Sequence, residues 1–324
     1  FYRLTRAPAA APLPPFPRRL SETGLFEDTA RHVPAPGVLP YTLNVPGWHD
    51  GATGEHFIAL PAGGAVTLRP NRNGEPPDGT ALVQTLTRDG RRLETRVLLK
   101  QQNDWAGYSY VWDAAQRDAE LADKAGADLN VAAGTPWRVP SRAECMMCHS
   151  REANFALTLN EAQLNHGAQL GEWERRGILK MNTAASERGR RKAGGGDRGS
   201  RPPPSPLPRL VPASAKDADL EARARSYLAV NCAHCHTQNG GGNSAMSFGW
   251  AVPRERMQTI NEMPQHGDFG LADARIVAPG APGRSVLVPR VAMRGPGQMP
   301  PVGTRASDAE GLQLLVEWIQ SLRE

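Results

Sequence analysis

Two copies of one short pattern, C-x-x-C-H, constrain this chain more than any other feature of its sequence. They stand at 145–149 (CMMCH) and 232–236 (CAHCH), and they use all four cysteines of the 324 residues. Two thiols on one turn of backbone can each add to a vinyl group of a haem, and the histidine that follows can bind the iron. The pattern therefore predicts two covalently bound haem c groups. The predicted attachment residues are Cys145, Cys148, Cys232 and Cys235, and the predicted proximal iron ligands are His149 and His236.

The same cysteines admit a second interpretation, a zinc site, because paired C-x-x-C segments also bind zinc. Zinc ribbons hold their two pairs some ~15–20 residues apart. Here 83 residues separate Cys148 from Cys232, and each pair carries its own histidine in the haem position. This spacing favours haem over zinc and over a thioredoxin-like dithiol.

Met299 is the predicted sixth ligand of the second haem. It follows His236 by 63 residues and lies in the segment 297–301 (GQMPP). The two prolines fix φ and keep such a loop extended, and methionine opposite histidine raises the reduction potential of haem iron. Met293 is the nearest rival. For the first haem the sixth position stays open between Met181, His166, His32, His49, His56 and no ligand at all.

The sequence around the motifs predicts the fold class. Short apolar or alternating runs between turn signals such as Asp89-Gly90 predict a small antiparallel β unit over roughly 40–140. Apolar residues at helical spacing after 214 and after 307 predict two amphipathic helices that bracket the second motif. The predicted class is therefore α+β: an N-terminal antiparallel β unit with the first haem segment, followed by an all-α class I cytochrome c domain.

Composition divides the chain into four predicted parts. The stretch 186–208 is rich in arginine, glycine and proline and has too few apolar residues to bury a core, which predicts a flexible linker. The parts are an N-terminal connector (1–20), the β unit with the first haem site (21–183), the Pro/Gly/Arg-rich linker (184–213) and the class I cytochrome c domain (214–324).

Charge and hydropathy limit the partners. The formal net charge is +5, and two haems would add about four negative charges through their propionates, which argues against nucleic acid. No run approaches the ~18 apolar residues of a membrane span. Haem is attached to C-x-x-C-H outside the cytoplasm, so we expect a periplasmic or extracellular protein. The start at Phe1 rather than methionine indicates a chain processed or excised from a longer one.

The sequence resembles a group of bacterial dihaem c-type cytochromes in five segments: 20–26 (LSETGLF), 137–145 (WRVPSRAEC), 231–236 (NCAHCH), 266–270 (HGDFG) and 277–280 (VAPG). The similarity runs from about Pro17 to the C-terminus, and the stretch 188–206 departs from it. In planctomycetes and some proteobacteria such modules are often fused to, or encoded beside, PQQ-type glucose/sorbosone dehydrogenases. Residues 1–4 (FYRL) resemble the closing strand of such a propeller. The resemblance implies haem attachment at both motifs and a PQQ-type dehydrogenase as redox partner.

Three functions follow from these features. The preferred one is one-electron transfer by a dihaem c-type cytochrome, an electron carrier or the electron-transfer module of an oxidoreductase rather than an enzyme. The second is a dihaem peroxidase-like enzyme, which needs one open iron and a distal acid/base group such as His32, His49 or His56. The third is a cytochrome subunit of a larger redox assembly. The terminal acceptor, the reduction potentials and the oligomeric state stay open.

Overall fold

A computed structural model describes residues 15–131, 136–182 and 208–323 of the chain. Most of the predicted connector 1–20 and most of the predicted linker 184–213 lie outside these described residues, as does the propeller-like segment 1–4. The four predicted parts and their boundaries therefore stay predictions.

Strands fill most of the first half of the described chain. Their bounds are β1 Phe26–Asp28, β2 Val33–Pro34, β3 Val38–Tyr41, β4 Thr53–Ala59, β5 Val66–Leu68, β6 Ala81–Arg88, β7 Arg91–Gln101, β8 Asp104–Trp112, β9 Ala119–Leu121, β10 Ala127–Leu129, β11 Trp137–Val139 and β12 Leu179–Met181. Six of them form one antiparallel sheet in the order β3-β4-β6-β7-β8-β9. The others pair as β1 with β2, β10 with β11, and β5 with β12, the last pair being parallel.

Alternation along the strands gives the six-stranded sheet two buried faces. Successive side chains of a strand point to opposite faces. On the first face Ile58, Leu82 and Leu98 join a core that includes Trp173. On the second face Phe57, Val83 and Val97 join a separate core around Tyr110 and Trp112. The hairpin between β6 and β7 turns at Asp89 and Gly90, whose φ values of +52° and +73° match the expected two-residue turn.

The helices are short. Their bounds are α1 Arg142–Cys148, α2 Glu161–Leu164, α3 Gln169–Arg175, α4 Leu220–Asn231, α5 Leu287–Ala292 and α6 Ala309–Ser321, and single 3-10 turns stand at Leu20–Thr23, Arg254–Arg256 and Pro282–Arg284. A capping box starts α1, as its sequence predicts, and Asp219 and Asp308 cap α4 and α6.

The predicted fold class is wrong. The part beyond 214 contains helices of 12, 6 and 13 residues, and irregular backbone and isolated bridges (Ile260 with Val277, Arg275 with Ser285) make up the rest. This part is not an all-α class I cytochrome c domain, and the molecule is β-rich, built on its six-stranded sheet. The two amphipathic stripes do form a core, because Leu228 of α4 packs with Leu315 of α6. An apolar stripe fixes which face of a helix is buried; it does not fix how much of the neighbouring sequence is helical.

One short stretch, residues 45–50, joins the two halves, and we call it the bridging segment. The Trp48 backbone N–H donates to Asn231 Oδ1 at 2.8 Å, and its indole N–H donates to the Ala306 carbonyl at 3.0 Å. The Asp50 carboxylate accepts from the backbone N–H groups of Arg305 and Ala306. The bridging segment thus ties the sheet to the end of α4 and to the loop before α6. None of the helices within the described ranges has the length and apolar character that crossing a membrane requires.

Candidate functional site

Both C-x-x-C-H motifs open onto one cavity between the sheet and the second half. The cavity has a volume of about 530 Å³, a size typical of cofactor and ligand pockets. The first motif lines it with Cys145, Cys148 and His149, and the second with Ala233 and His234. Two segments separated by 83 residues of sequence therefore form one site.

The first motif is carried by α1 and packed directly on the sheet. Ser141 Oγ accepts from the Glu144 N–H at 3.1 Å, and Glu144 Oε2 accepts from the Ser141 N–H at 2.6 Å, which fixes the start of the helix. One turn on, Cys145 lies against Gly107 of β8. A Cβ at residue 107 would stand 2.6 Å from the Cys145 Cβ, so only glycine lets the helix approach this closely.

A backbone carbonyl six residues along the chain orients the His149 ring. Its Nδ1 lies 2.6 Å from the Phe155 carbonyl oxygen, so Nδ1 carries the proton and donates, and Nε2 is left with its lone pair. Burial lowers the pKa of His149 to about 4, because a charged imidazolium is disfavoured there. A neutral imidazole with a free Nε2 is the form that binds iron.

The second motif begins where α4 ends. The Cys232 and His236 N–H groups donate to the carbonyls of Leu228 and Cys232, both at 2.9 Å, which continues the helical turn through the motif. His236 Nδ1 lies 3.1 Å from Ser244 Oγ, and its ring meets Phe248 edge-on at 5.6 Å. Burial lowers the pKa of His236 as well. Its Nε2 is therefore also left for a metal.

The two motifs meet through their second cysteines. The Sγ atoms of Cys148 and Cys235 and a ring nitrogen of His234 all lie within 4.8 Å of one another, and Cys235 Sγ lies 3.7 Å from the Met147 carbonyl oxygen. The hydrogen bond from Cys148 lowers the pKa of the Cys235 thiol, and His234 acts in the same direction. The four thiols are not joined in disulfides.

A row of four polar side chains crosses the sheet, and three of them, His56, Gln84 and Arg96, line the cavity. The sheet register aligns His56, Gln84, Arg96 and Ser109 on four neighbouring strands, and cross-strand partners point to the same face. Gly107, two residues before Ser109 on β8, shares this face and contacts Cys145. The row therefore lies on the side of the sheet where the first motif is packed.

His49 reaches this row from the bridging segment. Its Nε2 lies 3.0 Å from Gln84 Nε2, and Gln84 Nε2 lies 3.2 Å from His56 Nε2. The pKa of His49 is lowered to about 3, chiefly by burial with the charges of Arg96 and His56 adding to it, and burial lowers that of His56 to about 4. Both imidazoles are neutral at pH 7 and line the cavity.

The residues of the cavity fit a haem. Three polar atoms in its lining are buried and hydrogen-bond to no group in the described parts of the chain: Arg96 Nε, Trp250 Nε1 and Thr304 Oγ1. Buried donors are normally satisfied, and the propionate carboxylates of a haem accept hydrogen bonds. The thiols of Cys145 and Cys148 and the oriented imidazole of His149 complete a donor set suited to one haem c at the first motif, whereas Cys232, Cys235 and His236 are not among the lining residues.

The structure separates the remaining histidines and methionines by location. His32 lies on the far face of the sheet, where its Nε2 is 2.9 Å from Thr85 Oγ1 and its ring stacks on Phe26. His166 Nδ1 lies 3.2 Å from Asn44 Oδ1, and Met181 belongs to β12. None of these three is among the described residues that line the cavity, whereas His49 and His56 are.

Met299 lies beside the cavity. Its N–H donates to the Arg290 carbonyl at 2.8 Å, and the residues just after it, including Pro300 and Thr304, line the cavity wall. The Sδ of Met293, the rival residue, lies close to Gly297 instead. The assignment of Met299 as sixth ligand stays a prediction.

Sequence reasoning missed Gln84, Arg96 and Trp250 as site residues. A usable signal exists for the first two: each interrupts an apolar strand at a position where alternation places a core residue, in ALVQTL (81–86) and ETRVLL (94–99). A polar residue on the buried face of a strand indicates a polar cavity there. No comparable pattern marks Trp250, which lies in irregular backbone.

Comparison with known proteins gives no match: no protein-family model, no curated protein and no solved structure is similar to the chain at a significant level.

Proposed function

We propose that this chain is a dihaem c-type cytochrome that carries electrons one at a time. Haem c would be bound covalently at Cys145 and Cys148 and again at Cys232 and Cys235. The observation that supports this best is the contact between the two motifs, in which the Sγ atoms of Cys148 and Cys235 lie within 4.8 Å of each other. The sulfurs that anchor the two haems would thus be neighbours, which favours electron transfer between the haems within one chain.

The residues of the chain have distinct parts in this function. A bound haem supplies a one-electron Fe(III)/Fe(II) couple. His149 and His236 offer oriented Nε2 atoms on the proximal side. Arg96 and Trp250 offer buried donors for the carboxylates, and Gly107 lets the first motif lie flat on a sheet whose buried face excludes water. The protein sets ligation, burial and spacing, and the cofactor carries the electron.

The donor in this proposal is a PQQ-type dehydrogenase, in a periplasmic or extracellular setting. Two haems in one chain accept both electrons of a quinol without a long-lived radical. With haems bound the net charge is close to zero, so docking rests on apolar surface more than on electrostatic steering. Met147, inside the first motif and 47% exposed, is apolar surface of this kind at the attachment edge.

One observation favours a second candidate, a structural zinc site. Cys148, Cys235 and His234 are within 4.8 Å of one another and form three of the four ligands of a tetrahedral site. In this alternative the metal would join the two halves of the molecule, and the thiols would not carry haem.

Haem and metal content separate the two candidates. The full chain, produced in a periplasm with a haem-attachment system, is denatured, separated on a gel and stained for covalent haem, and its iron and zinc are measured. Two haems per chain with no stoichiometric zinc are expected. One zinc and no covalent haem would establish the second candidate and reject the first.

Electron flow is tested on the same preparation. The oxidised protein is mixed with a reduced PQQ-type dehydrogenase in a stopped-flow instrument. We expect rapid reduction of both haems at a rate that changes little between low and high salt. A holoprotein that the dehydrogenase does not reduce would reject the donor, and a rate that collapses with salt would reject apolar docking.

A further inference from the structure

The His49/Gln84/His56 cluster has no assigned part in haem attachment, although it lines the same cavity. Both Nε2 atoms point to one amide nitrogen, at 3.0 and 3.2 Å. Because the Gln84 amide donates to each, both imidazoles carry their protons on Nδ1 and direct an Nε2 lone pair at the same point. A neutral imidazole whose Nε2 lone pair lies inside a cofactor cavity can bind iron once the Gln84 amide releases that lone pair.

The cluster belongs to the first motif's side of the cavity. Gln84 is paired with Arg96 in the sheet register, and Arg96 with Ser109. Gly107, on the same face of the sheet, contacts Cys145, and His149 lines the same cavity as Gln84 and Arg96. The row therefore lies on the side of the first motif.

The two histidines differ in their freedom to move. His56 is 8% exposed, sits in the middle of β4 and packs against Tyr41 with ring centroids 5.6 Å apart. Beside it, a Cβ on Gly54 would come within 3.1 Å of the ring, which is tighter than ordinary contact. His56 is therefore fixed in the wall by close packing.

His49 lies outside any strand, and the space beside it is looser. A Cβ on Gly47 would be 3.5 Å from His49 Nε2, an ordinary contact distance. The bridging segment that carries it is anchored on both sides, by Trp48 to Asn231 and by Asp50 to Arg305. Binding of His49 to iron would require its Nε2 to turn away from Gln84 while these anchors keep its backbone in place.

We propose that His49 Nε2 is the sixth ligand of the first haem and that the Gln84 amide, which also contacts His56, keeps this Nε2 unprotonated inside the cavity until iron takes its lone pair. The inference rests on the proposed function, since it requires a haem at Cys145 and Cys148. It assigns bis-histidine ligation to the first haem and leaves that iron closed to exogenous ligands, in contrast to the open iron of a peroxidase-like enzyme.

The test is the spin state of the oxidised holoprotein, read by EPR and absorption spectra at neutral pH. Wild type should contain two low-spin haems. His49→Ala should convert one of the two irons to high spin, and added imidazole should restore the low-spin signal, because the small ligand enters the space that the side chain left. The matched variant His56→Ala should keep both irons low-spin.

Two further variants test the assignment of His49 independently of His49→Ala. His49→Met should keep the first haem six-coordinate while adding a methionine-to-iron absorption band and raising one reduction potential, which also covers the case in which His49→Ala does not fold. Gln84→Leu should leave both irons low-spin, because the iron rather than the Gln84 amide holds His49 Nε2 in the holoprotein.

Each result has one meaning. Two low-spin irons in His49→Ala, or a high-spin iron already present in wild type, would overturn this inference while covalent haem and electron transfer remained intact. Loss of low spin in His56→Ala alone would move the ligand to His56 and reject His49. Absence of covalent haem from wild type would reject the proposed function itself.

Discussion

The two C-x-x-C-H motifs lie in two different kinds of structure in this molecule. The first motif lies on a sheet: Cys145 packs on Gly107, and His149 is oriented by a backbone carbonyl. The second lies in helix ends and loops, and its histidine is oriented by a side-chain hydroxyl, that of Ser244. In a sheet, the position of a residue is fixed by the register of several paired strands. In a loop, it is fixed by only a few local contacts. We therefore expect the first site to be rigid and the second to depend more on its cofactor.

Loss of an attachment motif should give the largest effect. Cys145→Ser with Cys148→Ser, and separately Cys232→Ser with Cys235→Ser, should each reduce covalent haem from two to one per chain. The sheet half should stay folded in the first variant, whereas loops around the second motif should open in the other, because they have little regular structure to hold them. Hydrogen exchange of the second half measures this. Equal protection in the two variants would remove the contrast between the sites.

Replacement of Met299 tests the ligand set of the loop-held site. Met299→Leu should abolish the methionine-to-iron absorption band and lower the reduction potential of one haem only, because the thioether favours Fe(II). Potentiometric titration followed by absorption spectroscopy measures both. Met293→Leu is the control and should change neither. A band that survives in Met299→Leu and disappears in Met293→Leu would exchange the two assignments.

The far face of the sheet should respond to pH through His32, whose side chain is 6% exposed. The pKa of His32 is lowered to about 4, first by burial and then by the charge of Arg92. The unfolded chain has an ordinary histidine pKa of ~6.5 and binds a proton over this window that the folded chain does not. The stabilisation is fully present above about pH 6.5 and is lost as the pH falls to about 4.

Urea unfolding at several pH values measures this dependence. His32→Asn should reduce the slope of the unfolding free energy between about pH 6.5 and 4, and asparagine suits the left-handed backbone at this position, where φ is +59°. Above about pH 7 the curves of wild type and variant should run parallel. Curves that are parallel over the whole range would show that His32 is not the titrating group.

The smallest expected effect comes from two glycines, one packed against each motif. A Cβ on Gly107 would stand 2.6 Å from Cys145 Cβ, and a Cβ on Gly242 would stand 2.6 Å from His236 Nδ1. Overpacking of this kind costs about 1–3 kcal/mol where the surroundings cannot move. Gly107→Ala should therefore cost more unfolding free energy than Gly242→Ala, because strand β8 is held on both edges and the loop is not. Gly241→Ala, with nothing within 4 Å, is the control; equal costs at 107 and 242 would contradict the difference in rigidity.

The sequence predicted the local features of this molecule better than its architecture. The strands of the sheet, the turn at Asp89-Gly90 and the capping box at Ser141 are confirmed, because alternation and turn chemistry are local signals. The stretch 160–176 has a helix-like sequence throughout, yet it is split into α2 and α3. The all-α class assigned to the second half is wrong, since two apolar stripes say nothing about the sequence between them.

The candidate site was predictable in its chemistry and not in its assembly. The C-x-x-C-H spacing predicts, from sequence alone, the thiols and proximal histidines of the proposed haem sites. The contact between Cys148 and Cys235 and the convergence of His49 and His56 on Gln84 join residues that are distant in sequence. Register and tertiary packing create these contacts, and no local pattern encodes them.

The bridging segment has a consequence for how the molecule folds. Its hydrogen bonds close loops of 183 residues, from Trp48 to Asn231, and 255 residues, from Asp50 to Arg305. Closing loops of this length costs more conformational entropy than forming local contacts does. We therefore expect these long-range hydrogen bonds to form late in folding. The sheet can assemble from hairpins while the site is still open. We expect the thiols of both motifs to stay accessible until the loop before α6 arrives, so that closure of the cavity is among the last steps of folding.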